Sequence, residues 1–172
     1  VGDILRYPIL EDLAPLLTSS TLTHDQSMVE GEVNLTPIQH YFFESDVIVD
    51  KHHYNQSAQL SSKARLDKNI LSQSFEALVK HHDALRLRYY EASGEMVQYN
   101  LDYKAGKNTV HFYDLSNETD WQAQLDTLCE ALQSSFDLSE GNLFQMAHFQ
   151  LPESDHLVFI AHHLIIDGVS WR

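Results

Sequence analysis

Three amphipathic helical stripes, each set between segments whose apolar residues alternate, leave this chain few ways to bury a core. Ile38, Tyr41 and Phe42 recur at helical spacing behind Thr36, which can cap, and Pro37, whose missing N–H costs nothing in a first turn. Ile70, Leu71, Phe75, Leu78, Val79 and His82 form a second stripe behind Asp67, a natural N-cap. Trp121, Leu125, Leu128, Cys129 and Leu132 form a third. The spacing predicts helices over residues 35–44, 68–82 and 118–134. Residues 54–62 have no helical period and place Gln56, Ala58 and Leu60 on one face of a strand. Leu85, Leu87 and Tyr89 alternate with Arg86, Arg88 and Tyr90, and residues 96–101 should pair with them across Ser93-Gly94. Residues 109–113, 143–149 and 157–162 read as further strands. Helices interleaved with strands give an α/β fold, a two-layer sandwich of mixed sheet and helices. Its predicted core includes Ile70, Phe75, Leu78, Leu87, Leu125, Leu128, Leu132, Val158 and Ile160.

Composition narrows the function classes. Apolar residues make up 43% of the chain, enough for a packed core and against disorder. Twenty-five acidic residues against 11 basic ones give a net charge of −14. That leaves no basic face for nucleic-acid phosphates or an anionic membrane. The longest apolar runs, such as residues 157–161, fall far short of the ~20 residues that span a bilayer. The single Cys129 allows neither an internal disulfide nor a Cys-based zinc site and, with no signal peptide, suits a reducing, cytoplasmic setting. Val1 in place of a methionine, and a stop at Arg172 just after a dense polar motif, read as part of a longer chain. Residues 1–17 carry a separate stripe, Leu10, Leu13, Leu16 and Leu17, and residues 18–30 have the Ser/Thr-rich composition of a linker.

The densest chemistry lies in His162-His163-Leu164-Ile165-Ile166-Asp167-Gly168-Val169-Ser170-Trp171-Arg172. An apolar strand delivers two histidines to a loop, and adjacent strand residues point to opposite faces. One imidazole should face a cavity while the other packs inward. Asp167 can hold the loop, Gly168 permits a turn that a Cβ would hinder, and Ser170 can cap a following helix. Such an arrangement fixes a general base on a rigid element. Two other readings stand beside it. One is a structural histidine pair, the reading given to His52-His53 and His81-His82. The other is a metal site, against which the divergence of neighbouring strand histidines and the lack of HExxH or a Cys/His cluster both argue.

His162-His163-x-x-x-Asp167-Gly168 resembles the active-site signature of the condensation superfamily of nonribosomal peptide synthetases, a superfamily similar in fold to chloramphenicol acetyltransferase. The extension Val169-Ser170-Trp171-Arg172 resembles the epimerization branch. Pro37-Ile38-Gln39-His40-Tyr41-Phe42 resembles that branch's opening Pro-Ile-Gln-x-Trp-Phe, with Tyr41 in place of Trp. His81-His82-Asp83-Ala84-Leu85-Arg86 is similar to Arg-His-Glu-x-Leu-Arg, changed at the first and third positions, and Phe136-Asp137-Leu138 matches a short apolar–acidic element of the superfamily. Asp3-Ile4-Leu5-Arg6-Tyr7-Pro8 resembles the last helix of a peptidyl carrier domain.

The resemblance implies a carrier remnant over residues 1–17, a linker over 18–30, and the N-terminal lobe of an epimerization or condensation-type domain over 31–172. The C-terminal lobe would follow Arg172, and with it the glutamate that this branch uses as a second acid/base. The implied reaction inverts the Cα of an aminoacyl or peptidyl thioester held on the phosphopantetheine arm of a carrier domain in cis, with no cofactor bound directly. His163 matches the catalytic histidine, and His162, Asp167, Gly168, Ser170, Trp171 and Arg86 would support it. Asp167 would organise the loop with a buried arginine, Arg86 or Arg88, as partner, or else those arginines lie on a solvated strand face. The alternatives are a peptide-bond-forming condensation domain, against which residues 169–172 and the opening motif argue, and a non-catalytic carrier-docking module.

Overall fold

A computed structural model of the chain describes residues 6–7, 9–16, 27–104 and 110–171. Within the first helical segment expected from the sequence, the backbone forms α1 (Leu10–Leu13) and a 3₁₀ turn, Ala14–Leu16. Its remaining positions 1–5, 8 and 17 lie outside the described residues, as do linker positions 18–26, residue 109 of an expected strand, and Arg172. There follow β1 (Gly31–Val33), α2 (Pro37–Glu44), β2 (Asn55–Ser62), α3 (Lys68–His81), a 3₁₀ turn (Asp83–Arg86), β3 (Leu87–Ala92) and β4 (Glu95–Asn100). The chain continues through β5 (His111–Asp114), α4 (Trp121–Gln133), β6 (Phe144–Gln150) and β7 (Asp155–His162).

The strands divide into two sheets, ordered β1-β4-β3 and β2-β7-β6-β5. The first is antiparallel throughout; in the second, β5 runs parallel to β6 and the other pairs are antiparallel. Directly paired residues share a face, so the stacking of Phe75 on Phe144 at 5.3 Å puts α3 on the face of Phe144, Met146 and His148. Gln145 donates to Ser135 Oγ at 3.0 Å and Asn55 to the Gln133 carbonyl at 2.9 Å, so the end of α4 lies on the opposite face. The α/β class and the mixed sheet stand as expected, with helices on both faces of that sheet. Strand β6 shows why: Phe144, Met146, Ala147 and Phe149 are all buried, and a strand covered on both sides reads as a nearly continuous apolar run.

Local chemistry sets the elements. Asp67 caps α3, accepting the Asn69 and Ile70 N–H groups at 2.8 and 3.0 Å. Ser93 (φ 55°) and Gly94 (φ 82°) make the two-residue left-handed turn that a twisted β3–β4 hairpin requires. Phe136 and Leu138 are buried, and the Leu138 carbonyl accepts the Tyr89 N–H at 2.7 Å, so Phe136-Asp137-Leu138 pins one sheet to the connection entering the other.

Of the predicted core, Phe75, Leu87, Leu125, Leu132, Val158 and Ile160 are buried and Leu128 is partly buried. Ile70 is 64% exposed and Leu78 41%. The inward line of α3 is Leu71, Phe75 and Val79, and Ile70 lies about 140° round the helix from Phe75. On α2, Ile38 and Tyr41 are exposed, while Phe42 and the polar Gln39 face inward. His82 is not part of the α3 stripe; it ends the helix as its C-cap. Arg86, expected in a strand, sits in the 3₁₀ turn that precedes β3.

Candidate active site

Strand β7 carries both histidines out of the sheet, and the two meet different surroundings. His162 is fully buried. Its Nε2–H donates to the Lys51 carbonyl at 2.8 Å, and its Nδ1 accepts the Leu164 N–H at 3.2 Å. Phe42 packs edge-on to the ring at 5.9 Å. Burial pushes the His162 imidazole down to about 4, against the opposing pull of the Lys51 carbonyl, so it is neutral near pH 7. His162 is a structural histidine.

His163 is half-buried and lines a cavity of about 440 Å³ with Ile38, Phe42, Tyr54, Ile166 and Asp167 among its neighbours. Its ring stacks on Tyr54 at 5.2 Å and 17° between planes. Nδ1 lies 2.7 Å from the Ile166 carbonyl, an acceptor, so Nδ1 carries the hydrogen. Nε2 lies 3.0 Å from the side-chain nitrogen of Gln56, whose oxygen accepts the Trp171 indole N–H at 2.8 Å. The expectation of one imidazole inward and one at a cavity describes this pair. The ring at the cavity has a defined plane and an unprotonated nitrogen, the equipment of a general base.

The loop beyond His163 is held by Asp167. Its carboxylate accepts the Val169 N–H at 3.0 Å, the Ser170 N–H at 2.9 Å and the Ser170 hydroxyl at 2.7 Å. The Ser170 hydroxyl and N–H hold the Asp167 carboxyl below the usual carboxylate range. Asp167 therefore holds the loop by hydrogen bonds, as expected of it, while Ser170, expected to cap a following helix, serves as its donor. Gly168 is not in the left-handed region and a Cβ there would meet nothing within 4 Å, so the turn does not require a glycine.

Neither arginine partners Asp167. Arg86, 3% exposed, gives Nη1 to the Val79 and Lys80 carbonyls at 2.8 and 3.0 Å and Nε to the Leu101 carbonyl at 3.1 Å, and it pairs with Asp83. Coming directly after α3, it meets the unsatisfied carbonyls that end a helix and favour a cation. Arg88 lies between the rings of Tyr90 and Tyr99, about 5 Å from each centroid. Among the described residues Asp167 has no ion pair; its exposed turn is closed by short-range donors instead.

Three residues near the histidines have no role that the sequence alone assigns. Tyr54 and Gln56 lie at β2, whose pairing with β7 sets Gln56 opposite Ala161 across 105 positions of chain. Gln39, in the opening motif, is buried and bridges elements: its oxygen accepts the Thr36 N–H at 2.8 Å, and its nitrogen donates to the Tyr89 hydroxyl at 2.9 Å and to Gln98 at 2.7 Å. Tyr89 in turn donates to the Leu164 carbonyl at 3.4 Å, tying the histidine loop to β3. A glutamine beside the apolar positions of a helix is the signal that could have found it. Among the described residues no group of three or more His, Cys, Asp or Glu side chains could hold a metal ion, and no helix is long and apolar enough to cross a membrane.

The sequence model of the condensation domain matches residues 29–172. The chain belongs to the condensation-domain family. Curated relatives of this condensation-family chain include surfactin synthase subunit 1 of Bacillus subtilis (strain 168), 39% identical over 99% of the chain and 5% of the synthase. Tyrocidine synthase 2 of Brevibacillus parabrevis is 37% identical, again over 99% of the chain and 5% of the relative. Among solved structures, the epimerization domain from the third module of tyrocidine synthetase B superposes with a TM-score of 0.82 at 40% identity, over 87% of this chain and 34% of that one. The first condensation domain of the CDA synthetase shares the fold, with a TM-score of 0.68 at 20% identity over 81% of this chain and 35% of that one. The chain thus spans about a twentieth of these synthases and about a third of these solved domains.

Proposed function

We propose that this chain supplies the histidine side of an epimerization site acting on an aminoacyl or peptidyl thioester. What carries the reading is the 40% identity to an epimerization domain together with His163 at the cavity, its Nδ1–H fixed on Ile166 and its Nε2 unprotonated. A thioester acidifies the adjacent Cα–H because the carbanion spreads onto the carbonyl as an enolate. Inversion removes the proton from one face of that plane and returns one to the other. His163 Nε2 takes or gives the proton on one face. A carboxylic acid of a second lobe serves the other, in keeping with the 34% of the solved domain that this chain covers. The thioester arrives on the phosphopantetheine arm of a carrier domain. Residues 1–17 are assigned to the end of such a carrier and 18–30 to a linker, consistent with a family match that starts at residue 29.

Family membership by itself also fits peptide-bond formation, with His163 orienting an amine nucleophile. The two reactions separate in one assay. The synthetase carrying this chain, its carrier loaded with an L-aminoacyl group and no acceptor amine present, is expected to release a mixture of D and L residues. Release of the L residue alone, with a peptide formed once an acceptor is supplied, would replace epimerization by condensation. An unaltered L residue under both conditions would leave carrier docking as the role.

A further inference from the structure

The Trp171–Gln56–His163 chain of hydrogen bonds has only one consistent arrangement of hydrogens. An indole N–H donates and never accepts, so the Gln56 group 2.8 Å from Trp171 Nε1 must be the amide oxygen. The amide nitrogen then faces His163 Nε2 at 3.0 Å as a donor, and that nitrogen must be an acceptor. The proton goes to Nδ1, where the Ile166 carbonyl receives it at 2.7 Å. Each link follows from the one before, beginning at a side chain that has no choice. His162, one residue earlier, has the opposite tautomer because its acceptor, the Lys51 carbonyl, lies at Nε2. The backbone alone therefore does not dictate a common proton position for the pair.

We propose that Gln56, oriented by Trp171, is a positioning residue that sets the tautomer of His163 and keeps Nε2 unprotonated for proton transfer. This rests on the reading of His163 as an acid/base, and it gives two residues outside the chemistry a defined task. Trp171 sets the direction of an amide, and the amide sets the direction of a lone pair. The Gln56 N–H also occupies that lone pair, so an incoming Cα–H displaces the amide to reach the base. A glutamine suits this task where a carboxylate would not, since a carboxylate offers only acceptors and would call a proton to Nε2.

The test reads the His163 tautomer directly, by long-range ¹H–¹⁵N correlation of the ring nitrogens in the full chain without substrate at pH 8. The native protein is expected to show His163 protonated at Nδ1 alone. Trp171→Phe keeps a ring but removes the indole donor, so the amide can turn and the Nε2–H form should appear beside the first. Gln56→Glu is nearly isosteric and places an acceptor at Nε2, so a proton should appear there, either as the Nε2–H tautomer or, with the Ile166 carbonyl still accepting at Nδ1, as the imidazolium; neither is the native form. If both variants keep the native tautomer, Ile166 alone sets it and the proposal is wrong. A native protein with Nε2–H overturns it at once. Should Trp171→Phe fail to fold, Gln56→Glu decides between the two outcomes by itself. In the loaded synthetase, Gln56→Glu should slow solvent exchange at Cα by roughly tenfold or more. A tautomer that moves as expected with exchange unchanged would uphold the positioning role and overturn the assignment of His163 as the base.

Discussion

Strand β7 begins at Asp155 and ends at His162, with His163 just beyond, and the fold treats the ionisable groups at these two ends differently. At the start, Asp155 is 1% exposed and accepts from Arg65 at 2.6 Å, from the Leu66 N–H at 2.8 Å and from His148 at 2.8 Å. Burial alone would raise its carboxyl, but the Leu66 N–H, Arg65 and His148 outweigh it and hold the group below the ordinary carboxylate range. At the other end, His162 is closed in the same manner, whereas His163 faces a cavity. An arginine–aspartate–histidine constellation has the outward form of a catalytic one. Saturation of the Asp155 carboxylate and burial of His148 make it a staple between β7, β6 and the segment before α3. Exposure to a cavity, with one lone pair held by a displaceable amide, is what separates His163 from these.

The contrast can be broken by substitution and by acid. The largest loss of stability is expected from Asp155→Ala, which strips partners from Arg65, His148 and the Leu66 N–H together. Urea unfolding should report about 3 kcal/mol, and a loss under about 1 kcal/mol would deny the staple. Acid should separate the two ends by pH window. The folded-state value of His162 is about 4, below the 6.5 of a free imidazole. The unfolded chain therefore binds more protons between these values, and stability falls as pH drops from 6.5 to 4, by up to about 3 kcal/mol. Asp155, whose folded-state value is depressed, contributes stability above the ordinary carboxylate value and loses it only as pH falls below that value. Replacing His162 by Gln should shrink the upper window, to which His111, also depressed by burial, contributes the remainder, and leave the lower one; two unchanged windows would place the first titration elsewhere. The smallest effect is expected from Asp167→Asn, in an exposed turn whose donors an amide oxygen still accepts. Its melting temperature should fall only slightly, and a large fall would mean that Asp167 has a partner beyond Ser170 and Val169.

Except for β1, a three-residue strand that no local pattern marks and that only its pairing with β4 defines, the strands and long helices and the alternation of the two histidines are legible in the sequence because they depend on local period. Period 2 puts His162 and His163 on opposite faces wherever the strand lies, and Asp67 caps α3 from one residue away. What is not legible depends on distant chain. Gln56 reaches His163 only through the β2–β7 register, and Gln39 looks like the polar member of an exposed face until Tyr89 and Gln98 are placed beside it. Alternation makes Arg86 a strand residue and so offers it the wrong carboxylate, whereas the 3₁₀ turn sends its guanidinium to the end of α3. Ile70 and Leu78 fall outside the core because the apolar stripe of α3 is wider than the face that Phe75 and Val79 bury.

Proton transfer at Cα is proposed for His163 and not for its neighbour. The most direct test is deuterium wash-in from D₂O to the Cα of a residue loaded on the carrier of the proposed parent synthetase. The native protein, His163→Ala and His162→Gln would be compared at matched folded fraction. His163→Ala is predicted to slow wash-in by ~10²–10⁴-fold, the usual worth of a general acid/base, while His162→Gln retains most of the native rate. Undiminished wash-in in His163→Ala would contradict the assignment.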